Sequence, residues 1–131
     1  MHPISKILCE TYNELHRRGQ VAFSLHKENR EKIDSSVKTV NSKFFGVYRY
    51  PEPKDKAVAY LYFLIKNHPV TDGNKRLAAL WFTVYCVVQD LKPDYSDFTL
   101  DQIVVAVEAS ASDEKDEIID SLKDLLFHSY H

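Results

Sequence analysis

Several features that mark other classes of protein are missing from this sequence. It has two cysteines, Cys9 and Cys86, and no cysteine–histidine cluster at metal-ligand spacing, which argues against a zinc site and a disulfide framework. It has three glycines among 131 residues and no repeat or low-complexity tract, which argues against a disordered or fibrous chain. Because 19 acidic residues outnumber 17 basic ones, we expect no nucleic-acid partner.

Long apolar runs are also missing. The longest covers residues 77–88, is interrupted by Thr83, and is too short to cross a bilayer. The N-terminus lacks the basic start and the apolar stretch of a signal peptide. We therefore expect a cytoplasmic protein with no membrane partner. The length predicts a single domain that covers residues 1–131.

Helical periodicity is present along most of the chain. Apolar residues recur at spacings of three and four, which predicts helices over residues 4–18, 27–40, 54–67 and 74–89. Thr99 and Gln102 form a capping-box pattern that opens a further helix through residue 109, and Ser112 opens the last one. The stretch 74–89 is apolar nearly all round, which predicts a place at the centre of a bundle.

One segment departs from this periodicity. Residues 43–50 read Lys-Phe-Phe-Gly-Val-Tyr-Arg-Tyr and are rich in β-forming residues, which favours an extended or hairpin segment, here called the flap. Pro51 and Pro53 close it, and Pro53 is well placed to begin a helix. The predicted fold is all-α, a helical bundle around a central apolar helix with one short extended or β-hairpin flap.

Residues 68–76, His-Pro-Val-Thr-Asp-Gly-Asn-Lys-Arg, lie between two predicted helices and combine residue types used in phosphoryl transfer. His68 is a competent base at neutral pH. Asp72 offers a carboxylate for Mg²⁺ beside phosphates. Each residue also has a simpler interpretation. His68 could be no more than a histidine at a helix end, and Asp72 no more than a helix N-cap.

The second half of the same stretch is suited to binding anions. Gly73 and Asn74 lie at the start of a predicted helix, where free backbone N–H groups and the helix dipole attract negative charge. Lys75 and Arg76 add cationic charge, and a guanidinium can hold two phosphate oxygens at once. Taken singly, these residues could equally be a turn and solvated charges, so the spacing alone leaves both interpretations open.

This stretch resembles the signature of the Fic/Doc family, His-Pro-Phe-x-Asp/Glu-Gly-Asn-Gly/Lys-Arg. Agreement extends to every specified position except Val70, which stands where the signature has Phe. The upstream pairs Phe45-Gly46, Tyr50-Pro51 and Lys56-Ala57 are also similar to the family. The resemblance covers about residues 43–90, and the flanking helices fit it more loosely. Because similar domains occur at the C-terminus of longer proteins, the chain could also be such a part.

The resemblance implies an enzyme that uses ATP or another nucleoside triphosphate, with Mg²⁺, to modify a Ser, Thr or Tyr hydroxyl of a target protein. His68 takes the proton of that hydroxyl, and Asp72 holds the metal on the phosphates. Arg76 clamps phosphate and serves catalysis together with His68. The nucleotide-binding anion hole is formed by the backbone from Gly73 through Asn74 and Lys75.

The resemblance also assigns the flap a role in aligning the target peptide by strand addition, through Phe45, Gly46, Val47 and Tyr48. Lys75 replaces the glycine of members that transfer AMP, and the lysine form is that of Doc-like members. These include a toxin that phosphorylates elongation factor Tu and is restrained by an antitoxin. Phosphorylation is therefore the first expectation for this chain, with possible membership of a toxin–antitoxin pair.

Two other functions remain open. AMP transfer, or AMPylation, is the main alternative, because this chain keeps Gly73 where that toxin has alanine. A non-catalytic binding module with the same fold is the second. The segment Ser24-Leu-His-Lys-Glu-Asn29 fits the family's autoinhibitory pattern, in which Glu28 would compete with phosphate for Arg76. Its position close to the flap is unusual for that role, so inhibition by a separate antitoxin is favoured.

Overall fold

The computed structural model describes residues 1–128, and this part of the chain contains six α-helices and one small sheet. The helices are α1 Pro3–Arg17, α2 Lys27–Val40, α3 Pro53–Lys66, α4 Asn74–Val88, α5 Leu100–Ala109 and α6 Lys115–Phe127. The strands are β1 Lys43–Phe44 and β2 Val47–Tyr48. The prediction of an all-α fold with a short hairpin is confirmed. Ser112 begins a single 3₁₀ turn before α6 rather than α6 itself.

Helix boundaries follow local chemistry. At the start of α5, Thr99 Oγ1 accepts from the Gln102 N–H at 3.2 Å, and Gln102 Oε1 accepts from the Thr99 N–H at 2.9 Å. This is the reciprocal capping box that the sequence predicted. Proline begins both α1 and α3, at the position where a missing N–H costs no hydrogen bond. Gly19, with φ of +72°, follows the end of α1.

The most enclosed helix is α3. Its residues 57–65 are all buried, and it packs against α2, α4, α5 and α6. The sequence favoured α4 for the central place. Helix α4 packs most closely against α3, but it leaves one side in solvent, formed by Thr83, Val84, Val87 and Val88. Within residues 1–128, no helix is both long and apolar enough to cross a membrane.

Aromatic residues join α3 to α4. The ring of Trp81 lies 5.7 Å from that of Tyr60 and 5.9 Å from that of Tyr85, in edge-on and tilted arrangements. The Tyr60 hydroxyl accepts a hydrogen bond of 2.8 Å from Asn41. The Trp81 Nε1 atom is buried and has no acceptor within the described residues. Burial raises the pKa of Tyr85 to about 12.

A carboxylate ties α2 to the start of α1. Asp34 accepts from the backbone N–H of His2 at 3.0 Å and from the Ser5 hydroxyl at 2.7 Å, and Lys38 lies 3.0 Å away. Burial alone would raise the pKa of Asp34, but these donors favour the charged form more strongly and lower that pKa to about 2. This contact fixes α1 on α2, and α1 supplies part of the site described below.

Candidate functional site

The first turn of α4 presents unpaired backbone donors. Gly73 is the N-cap residue, with φ of +88°, and its carbonyl accepts the first helical hydrogen bond from Leu77 at 2.9 Å. No side chain caps the helix, and the N–H groups of Asn74, Lys75 and Arg76 have no acceptor among residues 1–128. Unpaired donors at the positive end of a helix dipole are suited to binding an anion, so this helix start is a candidate anion site.

The loop before α4 is held by side-chain amides. Asn74 Nδ2 donates to the Val70 carbonyl and Asn74 Oδ1 accepts from the Val70 N–H, each at 2.9 Å. Asn29 at the start of α2 donates to the Pro69 carbonyl at 3.1 Å. Pro69 and Val70 are both buried. The side chain of Asn74 is therefore used to shape the loop, and its backbone N–H is left without an acceptor among residues 1–128.

Gly73 is required by the fold at this position. A Cβ atom added there would lie 2.6 Å from Cγ1 of Val21, well inside van der Waals contact, and the positive φ disfavours any other residue. Val21 is buried in the connection between α1 and α2. The glycine thus lets that connection pack closely against the start of α4.

Asp72 is fixed through one carboxylate oxygen and leaves the other unpaired. Its Oδ2 atom accepts from the Ala22 N–H at 3.0 Å, and the Tyr12 hydroxyl lies 2.9 Å from the carbonyls of both Asp72 and Phe23. Burial raises the pKa of Tyr12, and the Asp72 charge adds to this shift. Because Gly73 is the N-cap, the interpretation of Asp72 as a simple N-cap residue is wrong.

A cleft of about 770 Å³ opens beside this helix start. One side consists of the motif residues Thr71, Asp72, Gly73, Asn74, Lys75 and Arg76, and the other of the α5 residues Asp101, Val104, Val105 and Glu108. A volume of this size is in the range of small-molecule and nucleotide pockets. The valines offer an apolar wall and the motif offers positive charge.

The two cations of the motif are held by different partners. The Arg76 guanidinium donates to the Gln20 carbonyl, and Lys75 Nζ lies 3.3 Å from the Glu108 carboxylate on α5. No carboxylate pairs with Arg76 among the described residues, and Glu28 of the inhibitory pattern makes no such contact. Arg76 therefore keeps unused N–H groups for an anion.

His68 stands apart from this cleft. It follows the last turn of α3 with φ of +44°, a backbone conformation that is uncommon for a residue other than glycine. Its side chain is exposed and it is not among the residues that line the cleft. The structure thus brings Asp72, Gly73, Lys75 and Arg76 together, and leaves His68 open to solvent next to the same loop.

The flap forms the predicted hairpin. Lys43 pairs with Tyr48 and Phe44 with Val47, and the turn residues Phe45 and Gly46 have φ of +51° and +78°. Two positive φ values in a two-residue loop are typical of a type I′ turn. Phe44 and Phe45 are 74% and 91% exposed, so the hairpin presents apolar side chains to solvent.

Sequence reasoning missed the residues that complete the cleft from distant parts of the chain. Gln20 comes from the connection after α1, and Asp101 and Glu108 come from α5. Tyr12, on α1, contacts the Asp72 carbonyl behind the cleft but does not line it. The Tyr12–Asp72 and Arg76–Gln20 contacts join residues 60 and 56 positions apart. No local pattern marks such residues, because their contacts depend on how helices pack.

Comparison with known proteins identifies the family. The model of the Fic/DOC family matches residues 3–86. A protein named Toxin Doc, from Mycolicibacterium smegmatis (strain ATCC 700084 / mc(2)155), is 35% identical over 81 residues, which cover 59% of this chain and 62% of that relative. None of the solved structures matches the chain significantly. Because the family match includes α1 to α4 with the flap and the whole motif, the chain belongs to the Fic/Doc family.

Proposed function

We propose that this protein phosphorylates a hydroxyl side chain of another protein, with ATP or another nucleoside triphosphate as donor. The observation that carries the proposal is the start of α4, where three unpaired N–H groups open into a nucleotide-sized cleft beside Lys75 and Arg76. Such a site binds phosphate oxygens through fixed dipoles and charges. Positioning and charge stabilisation account for most of the catalysis in phosphoryl transfer.

In the proposed reaction the acceptor hydroxyl oxygen attacks the γ-phosphorus. The bond from that phosphorus to the bridging oxygen breaks, ADP leaves, and the hydroxyl proton passes to His68. The side chain of His68 is exposed and therefore open to an acceptor from a separate protein, and the reaction requires that it reach the hydroxyl at the γ-phosphorus. Arg76 donates to the phosphate oxygens with the N–H groups that Gln20 leaves unused.

Magnesium fits the residues present. The unpaired Oδ1 atom of Asp72 is a hard oxygen ligand at the edge of the cleft. No group of three or more metal-ligating side chains occurs in residues 1–128, so phosphate and water would supply most of the coordination, as Mg²⁺ commonly requires. The ion would neutralise phosphate charge. Asp72 itself is positioned by the Ala22 N–H.

Transfer of AMP is the second candidate, and one contact favours it. The ammonium of Lys75 lies 3.3 Å from Glu108 on the α5 side of the cleft. A lysine engaged there obstructs the phosphates less than a free one. Phosphorylation remains the first candidate because the lysine form of the motif is that of Doc-like members.

The biological setting follows from the relative named Toxin Doc. We infer a toxin that acts in the cytoplasm and is restrained by an antitoxin, with elongation factor Tu as the first acceptor to examine. The match covers 62% of that relative's length, so these assignments are proposals about the whole protein. They are tested separately from the chemistry of transfer.

The test of the chemistry uses ATP labelled at the α or at the γ phosphate, Mg²⁺, and a bacterial lysate or purified elongation factor Tu. We expect γ label on a protein and no α label. His68→Ala is expected to reduce labelling roughly 10²- to 10⁴-fold, as for loss of a general base. His16→Ala, an exposed histidine near the end of α1, is the matched control and should label at the wild-type rate.

Lys75→Gly is the discriminating variant, because it gives this position the glycine of the members that transfer AMP. It should permit some α label. If the wild-type protein already attaches α label, AMP transfer replaces phosphorylation as the function. If neither label is transferred and the His68 variant behaves as wild type, the transferase proposal is wrong.

A further inference from the structure

A buried cation without an acceptor lies under the flap. The Nζ atom of Lys56, in the first turn of α3, is buried and has no hydrogen-bond partner among residues 1–128. It lies 4.4 Å from the centre of the Tyr48 ring, and burial lowers its pKa. Contact with an aromatic face offsets only part of the cost of an ammonium with three unused donors. The contacts of the folded chain therefore leave this group unexplained.

A second cation shares the same ring. Lys43 Nζ lies 4.7 Å from the centre of Tyr48, and Lys43 and Tyr48 are direct partners across the hairpin. Partners directly opposite each other project from the same face of a sheet. We call Lys43, Tyr48 and Lys56 the basic face of the flap.

The acidic residues near the basic face are already engaged elsewhere. Asp55, next to Lys56 in sequence, lies 2.8 Å from Lys123 and accepts from the Glu52 N–H at 3.1 Å. Asp116 pairs with Arg49 at 3.3 Å. Within the described residues no carboxylate forms an ion pair with Lys43 or Lys56. The positive charge of the basic face is thus available to a ligand.

The opposite face of the hairpin is apolar. Phe44 and Val47, the other cross-strand pair, are 74% and 66% exposed. A groove of about 640 Å³ lies beside both strands, from Ser42 to Arg49. In an added extended strand, successive side chains point to opposite faces. When a carboxylate of the added strand reaches the basic face, the side chains before and after it in that strand therefore point to the apolar face.

We propose that the basic face is a specificity pocket for an acidic side chain of the target, and that Lys56 determines this specificity. The proposal rests on the proposed function, the modification of another protein, and takes the flap as the place where a segment of that protein docks. The favoured segment is extended, with a glutamate or aspartate flanked by apolar residues. When the half-exposed Tyr48 ring turns aside, the carboxylate of this segment supplies the acceptor that Lys56 lacks, and the exposed Lys43 adds attraction at the same place.

The experiment measures peptide binding without any nucleotide. Two short fluorescent peptides of alternating valine and threonine carry either glutamate or glutamine at the centre, and binding is followed by fluorescence anisotropy at low salt. We expect wild-type protein to bind the glutamate peptide about five- to tenfold more tightly. Lys56→Met keeps the apolar stem of the side chain and should abolish this preference, so that both peptides bind with about equal affinity. Added salt should weaken the preference of the wild-type protein.

Lys54→Met is the matched control. Lys54 lies in the same first turn of α3, but its ammonium faces the Phe127 ring, so its loss should leave the glutamate preference intact. Thermal unfolding of each variant shows that the fold is retained. A wild-type protein with no glutamate preference, or a preference that survives Lys56→Met, overturns the proposal.

Failure here and failure of the proposed function are distinguishable. A protein that transfers label but shows no charge preference refutes the pocket alone. A protein that prefers glutamate but transfers nothing from ATP refutes the transferase alone.

Discussion

At the scale of single residues, the motif residues differ in whether their side chains or backbone are already engaged within the fold. Asn74 uses both ends of its amide on Val70, and Gly73 is enclosed by Val21. Asp72 keeps one carboxylate oxygen unpaired. The first two residues build the loop, and Asp72 is the one whose loss should change ligand binding rather than folding.

Asp72 provides a test that separates metal binding from structure. Asp72→Asn keeps an oxygen that can accept from Ala22, but it removes the negative charge. We expect nearly unchanged thermal stability and loss of the Mg²⁺ dependence of nucleotide binding, measured by titration calorimetry with and without the ion. Asp101→Asn, on the α5 wall of the same cleft, should retain that dependence. A variant of Asp72 that only melts earlier, with metal dependence intact, assigns the residue to structure.

Gly73→Ala should destabilise the protein by roughly 1–3 kcal/mol, because it combines an unfavourable positive φ with a close approach to Val21. Val21→Ala removes the nearest methyl group. In the double variant the clash is absent, so its loss of stability should be smaller than the sum of the two single losses. Urea unfolding of the four proteins measures the coupling, and strict additivity would contradict the contact.

At the scale of elements, the sequence predicted most of the helices to within a residue or two. Capping residues and apolar periodicity are local signals, and the Thr99–Gln102 box and the hairpin both formed as expected. Prediction was poorer for packing. It placed α4 at the centre, whereas α3 is enclosed along residues 57–65. A helix that is apolar on most sides can still leave one side in solvent. Whether that side is covered depends on which other helices pack against it, and the sequence of the helix itself does not show this.

The turn of the flap yields a prediction at this scale. Gly46 has φ of +78° with open space around it, so Gly46→Ala strains only the backbone. Phe45 has φ of +51°, which is unusual for a bulky residue. Gly46→Ala should therefore loosen the hairpin, and Phe45→Asn should tighten it, because asparagine followed by glycine favours a type I′ turn.

The readout for the flap is the nuclear Overhauser effect between the Lys43 and Tyr48 backbones, which are paired in the sheet. It should weaken in the alanine variant and strengthen in the asparagine variant. Melting temperatures should change little, since the hairpin residues are exposed. Equal cross-strand contacts in both variants would show that turn strain does not control the flap.

At the scale of the whole molecule, the candidate site could be predicted only in its contiguous part. Residues 68–76 were identified because base, carboxylate, glycine and cations follow one another in sequence. The remaining wall could not be predicted, since Gln20 and Glu108 reach the cleft only after α1 and α5 have packed. His68 shows the converse: it is adjacent to the motif in sequence, yet it does not line the cleft.

Stability should depend on pH through the Asp34 contact between α1 and α2. Its folded pKa of about 2 lies below the ordinary value of 3.8. The charged form therefore stabilises the fold above about pH 4, and this contribution is lost as the pH falls toward 2. We expect Asp34→Asn to lower the free energy of unfolding by about 1–2 kcal/mol at pH 6.

Denaturant unfolding at a series of pH values measures the effect. The difference between Asp34→Asn and the wild-type protein should vanish near pH 2, where the wild-type carboxylate becomes protonated. Asp97→Asn, at an exposed position in the connection before α5, should follow the wild-type curve throughout. A difference that is constant with pH would assign the loss to packing instead of charge.

Trp81 gives the molecule a built-in optical reporter. It is the only tryptophan of the chain, and its indole is 8% exposed with a buried, unbonded Nε1. An indole in such apolar surroundings emits at shorter wavelength than one in water. Tyr60 and Tyr85 are close enough to pass their excitation to it. Because Trp81 lies in the helix whose first turn carries the candidate anion site, unlabelled protein can report by its emission whether α3 and α4 are assembled.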